Sequence, residues 1–147
     1  MCAVVVNAQE TSSKKSKQEK KIERYYKDRQ AILDTSFFFQ TLKITSPYLS
    51  ANSTGGYLRI NGNTLRIQEI DWVGRGNKKV RWRDQVELNN YHVFENDNEH
   101  YLEVRFGCQF KANQLFFIMK RPLNGPSELT IRMEKGKYVQ YEGKLKV

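Results

Sequence analysis

The sequence predicts a mainly β domain: an N-terminal helix followed by an antiparallel meander of about eight strands that forms a barrel or a sandwich. Three observations predict it. After Asp34 apolar and polar residues alternate with period two through run after run. Turn residues fall between those runs at even spacing. Before Asp34, a stretch free of Gly and Pro carries apolar residues at helical spacing. At 147 residues, one core is what the chain can bury.

The helix is expected from Ser12 to about Leu33, with Ile22, Tyr25, Tyr26, Arg29, Ile32 and Leu33 on its docking stripe. Its first half, "SSKKSKQEKK", has no such stripe and reads as a charged flexible leader or a solvated face. Among the strands, "VRWRDQVEL" places Val80, Trp82, Asp84, Val86 and Leu88 on one face and Lys79, Arg81, Arg83, Gln85 and Glu87 on the other. "LEVRFGCQF" turns Leu102, Val104, Phe106, Cys108 and Phe110 inward, and "LTIRME" does the same with Leu129, Ile131 and Met133. Asn61-Gly62 after "YLRI" is a strong hairpin signal; "NDNE", "KAN" and "EKGK" separate the later strands.

The first eight residues have the form of the end of a secretory signal. In "AVVVNAQ" an apolar run precedes Val6, Asn7 and Ala8, small residues at the first and third positions of a cleavage site. Cleavage after Ala8 leaves Gln9 first. The expected organisation is therefore a signal remnant at residues 1–8, a leader at 9–21 and a β domain at 22–147. The alternative is a disordered or strand-forming N-terminus. Cys2 has no apolar run before it and does not fit a lipoprotein signal, and no apolar run reaches membrane-spanning length.

The net charge of +9 is spread, with eight Lys/Arg against five Asp/Glu in residues 10–34 and seventeen against eleven in residues 35–147. Such a surface attracts polyanions without sequence preference. The densest cluster is "RGNKKVRWR". There Arg75, Lys78, Lys79, Arg81 and Arg83 lie close to Trp72 and Trp82, the combination a single-stranded nucleic-acid groove uses. Alternation sets Trp82 on the face opposite Arg81 and Arg83, which separates ring from charge. A charged strand face also has a structural reason, because it blocks edge pairing.

Materials for catalysis are thin. His92 and His100 are not in a helical HxxxH arrangement, and the cysteines give neither a CxxC pair nor a metal quartet, so no metal or cofactor is expected. Cys108 reads as a small core residue. Asp84 shares an apolar face; it is either a satisfied carboxylate or a place where the strand leaves the core, or else a polar group at a barrel mouth, with His92 as a possible companion in a pocket. "GRG" at 74–76 is too short a signal for a phosphate loop. Asn52-Ser53-Thr54 matches the glycosylation pattern, which is common by chance.

From Ser36 onward the order of features resembles a family of small exported proteins of Gram-negative gut and oral bacteria whose domain has no assigned function. "SFFFQTLKITSPY", "YLRINGNTLRIQEIDWVGRG" and "GPSELTIRMEKGKYVQYEGKLKV" carry the resemblance, most specifically Trp72-Val73-Gly74 and Tyr141-Glu142-Gly143. The charged "RGNKK" stands where that family has a longer glycine-rich stretch. The resemblance implies export and fold type, and no functional residues. The resulting expectation is an exported, periplasmic or secreted, binding or structural module. Its partner would be an envelope polyanion, a glycan or a protein. Two alternatives stand beside it: a cytoplasmic nucleic-acid-binding β-barrel using the basic 75–83 segment, and an enzyme whose site is assembled from scattered polar residues.

Overall fold

A single helix, α1 (Cys2–Leu33), leads into eight strands: β1 (Ser36–Ile44), β2 (Tyr57–Asn61), β3 (Thr64–Val73), β4 (Lys79–Asn96), β5 (Tyr101–Phe110), β6 (Asn113–Pro122), β7 (Ser127–Met133) and β8 (Tyr138–Lys146). The structure, a computed structural model, describes residues 2–45, 56–73, 79–110, 113–133 and 138–147. Within these, the side chains of residues 2–15, 72–73 and 79–82 are not described.

The helix begins before Ser12, since nothing between Cys2 and Asp34 is Gly or Pro to interrupt it. Its docking half buries Tyr25, Ala31 and Ile32, whereas Tyr26 and Leu33 of the expected stripe stay exposed and Asp28, a charged residue, is buried. The helix ends at Asp34 and Thr35, the latter in the left-handed region at φ 50°. Its terminal carbonyls find partners: Asp34 N donates to Gln30 O, and Tyr91 Oη donates to Ile32 O at 2.6 Å.

Every strand is antiparallel to its sequence neighbour, and β8 returns to pair with β1, so the sheet is a closed barrel rather than a sandwich. The β2–β3 hairpin turns on Gly62 at φ 61°, the first central position between paired Asn61 and Thr64, a place for glycine in a two-residue hairpin loop. Three bulges bend the strands: at Thr41/Lys43 in β1, at Glu69 (φ 58°) in β3 and at Asn90 (φ 53°) in β4. Bulges add local twist, and twist is what an eight-stranded sheet needs in order to close.

An eight-stranded barrel has room for side chains and little else. Here the interior is filled. Phe39, Leu58, Leu65, Leu102, Leu115, Leu129 and Val139 are fully buried, and Phe106 stacks on Phe117 with centroids 4.9 Å apart. The inward sets predicted for β5 and β7 are all buried, Cys108 among them. From β8, Tyr141 reaches across the barrel to the β3 bulge, where its hydroxyl donates to Asp71 O at 2.5 Å and accepts from Asp71 N at 2.9 Å. The docking half of α1 lies at the end formed by the β2–β3, β4–β5 and β6–β7 turns; Gly62 N donates to Thr35 O there, and Leu123 N donates to His100 O. The end of β3 at Val73 and the start of β4 at Lys79 lie toward the opposite end.

Candidate functional site

Of the binding and pocket residues singled out from sequence, Arg83, Asp84 and His92 have described side chains. Arg75 and Lys78 lie outside the described residues, as does Asn52-Ser53-Thr54, and the side chains of Trp72, Lys79 and Arg81 do too. Arg83 is exposed and paired with Glu69 at the β3 bulge. Register sets Trp82 opposite buried Ile70, and Arg81 opposite Asp71.

Asp84 sits opposite buried Ile67 and so faces the core side, as alternation requires, yet it is exposed. The reason is the reach of β5: among the described residues β4 meets β5 only from Leu88 onward, and Lys79 to Glu87 pair with β3 alone. The strand leaves the core at Asp84, whose Oδ1 accepts from Gln85 N at 2.7 Å. His92 is exposed on the outer face of β4, and neither residue lines a cavity described below. Cys108 is buried in the core, and burial pushes its thiol up to about 12, far from nucleophilic use.

The feature that sequence reading missed lies at the other end of the barrel. Between α1, the β6–β7 loop and the end of β8 runs a groove of about 800 Å³. Lys21, Arg24 and Lys27 of α1 form one side, Lys144 and Lys146 of β8 the other, and Leu123 to Pro126 supply the loop wall. A smaller cavity of about 340 Å³ continues it along the helix past Lys17 and Ile22.

The groove is held by a buried ion pair. Arg121, at the end of β6, contacts Asp28 Oδ2 through Nε at 2.9 Å and through Nη2 at 2.8 Å, and both residues are more than nine-tenths buried. Its Nη1 donates to the carbonyls of Pro122 and Leu123, so one guanidinium fixes helix, strand and loop together. It also lies over the ring of Tyr25, 5.5 Å from the centroid, and Tyr25 meets His100 edge-on at 5.6 Å. Burial raises the Asp28 carboxyl above its ordinary value, and the guanidinium opposes that shift. Gly125 at φ 90° lets the loop turn back toward β7.

This pairing leaves the groove electrostatically one-sided. Six of its charged side chains are cationic, and its single acidic side chain, Asp28, is already committed to Arg121. Among the described residues, Lys21, Arg24, Lys27, Lys144 and Lys146 have no ion-pair partner, whereas Arg29, Arg83 and Arg105 pair with Glu95, Glu69 and Glu103. Like charges gathered around a concave surface focus a field that an anion relieves.

A sequence signal for the groove exists but is weak. Lys17, Lys21 and Arg24 recur at helical spacing, and Lys144 and Lys146 alternate along β8. Each pattern alone reads as a solvated face. Only the docking of α1 beside β8 puts them around one space.

No family model matches the chain, and neither does any curated protein. Among the solved structures, the chain is similar to the crystal structure of a DUF4251 family protein from Bacteroides eggerthii DSM 20697. The TM-score is 0.63 at 10% sequence identity, over 82% of this chain and 85% of that one. At that identity the likeness shows the fold: a helix and an antiparallel barrel shared with a protein whose family name marks its function as unassigned.

Proposed function

We propose that this chain is a small binding module that holds an anionic ligand in the groove between α1 and β8, with no chemistry of its own. The observation that carries the reading is the set of five cations around one concave space, without an ion-pair partner among the described residues, with the groove's one acidic side chain paired to Arg121. Among the described residues, the barrel interior is packed with aliphatic and aromatic side chains. Export belongs to the same proposal: residues 1–8 are the end of a secretion signal, 9–21 a leader and 22–147 the β domain. The signal-like "VVVNAQ" and the resemblance to exported proteins support that part. The ligand then comes from the envelope or the exterior. Among the described residues no helix is long and apolar enough to cross a membrane.

The test uses a sulfated oligosaccharide as a general polyanion probe, titrated at several salt concentrations. The wild-type chain is expected to bind with affinity that falls steeply as salt rises. Lys21→Ala combined with Lys144→Ala and Lys146→Ala should weaken binding by about tenfold or more, at roughly 1 kcal/mol per surface cation at most. The triple change Arg75→Ala, Lys78→Ala and Lys79→Ala should leave it within about twofold. The reverse ranking would move the site to the β3–β4 end and revive the nucleic-acid reading.

A further inference from the structure

The groove is not only basic. Leu42, which is 54% exposed at the β1 bulge, lines it together with Leu123, Pro126, Leu145 and Val147, so an aliphatic floor lies between two cationic rims. Exposed aliphatic side chains gathered in a concavity mark a surface that something apolar covers. Resting on the anion-binding reading, we propose that the ligand is an amphiphile: an anionic head group held by the lysines and Arg24, and an alkyl chain laid over Leu42, Leu123 and Leu145.

Two features of the groove select this occupant. No described residue that lines it is aromatic. Nucleobases are bound by stacking on aromatic rings, so a groove without rings suits an alkyl chain and not a single-stranded nucleic acid. Leu42 is also exposed on the groove's aliphatic floor, between the two cationic rims. A simple polyanion would satisfy the cations and leave Leu42 in water. An alkyl chain with a charged head satisfies both.

The experiment titrates the full chain with hexyl phosphate, dodecyl phosphate below its micelle concentration, inorganic phosphate and dodecyl maltoside. Each buried methylene strengthens binding about fourfold. Dodecyl phosphate is therefore expected to bind more than tenfold tighter than hexyl phosphate, and both tighter than inorganic phosphate and the uncharged maltoside. Leu42→Ser, at an exposed position that leaves the fold intact, should weaken dodecyl phosphate at least fivefold and leave hexyl phosphate within twofold. Lys144→Ala with Lys146→Ala should weaken both. Equal binding of hexyl and dodecyl phosphate would overturn the alkyl subsite and leave the anion-binding reading standing. Equal binding of dodecyl maltoside and dodecyl phosphate would overturn both.

Discussion

Tyr141 and Gly143 belong to the most specific piece of the family resemblance, and both have structural work at the barrel wall. A side chain at Gly143 would run into Gln40 O and come within 2.6 Å of the Phe39 ring, so β8 can approach β1 only with glycine there. Tyr141 satisfies the backbone N–H and C=O of buried Asp71 at the β3 bulge. Tyr141→Phe removes both hydrogen bonds and keeps the ring, which should cost about 1–3 kcal/mol in urea unfolding; a loss below about 0.5 kcal/mol would deny the role. Cys108 gives a second residue-scale expectation. In a Cys2→Ser variant, its thiol should be inert to thiol reagents at pH 8 and react in full once the chain is unfolded, because burial holds it up near 12. Reading Cys108 as core was possible because its neighbours alternate cleanly. Reading Asp84 was half possible: alternation gave its face, but its exposure depends on where β5 stops, which is not a property of β4.

At the level of elements, the attachment of α1 rests on Arg121 and Asp28 as much as on Tyr25 and Ile32. Asp28→Ala would leave a buried guanidinium without its carboxylate, expected to cost about 3–5 kcal/mol. Replacing the pair together, Asp28→Leu with Arg121→Met, should recover most of that loss, because apolar side chains of similar size avoid the desolvation cost. A thermodynamic cycle over the four proteins checks both figures; additive losses would mean that the two residues do not act as a pair. Sequence reading found the helix and half its stripe. It passed over Asp28, because a buried charge is legible only through its partner, and that partner lies 93 residues away. Bulges are opaque for a related reason: Asn90 tolerates left-handed backbone, but a turn and a bulge use the same local chemistry.

On the scale of the whole molecule, the count and faces of the strands were legible, and the closure was not. Alternation tells which side of a strand is wet; it does not tell that β8 returns to β1. The groove shares this limit, since its two rims are about 120 residues apart in sequence and meet only through closure and helix docking. The packed barrel also predicts the alkaline limb of stability. Burial raises Tyr25 to about 12, Cys108 to about 12, and Tyr91 further above its ordinary value. The folded state then keeps protons that the unfolded chain releases, so stability is constant below about pH 9 and falls as pH rises toward 12. The slope is about 1.4 kcal/mol per pH unit for each group in its window. Urea midpoints at pH 8, 10 and 11 should fall in that order; equal midpoints would contradict the packing of these groups.

The central claim is that an anion is held beside α1. It is tested most directly by amide chemical-shift mapping of the labelled chain during titration with dodecyl phosphate. Shifts confined to residues 17–28, 41–43, 121–127 and 143–147 are the predicted result. Shifts centred on residues 72–84 would contradict the account.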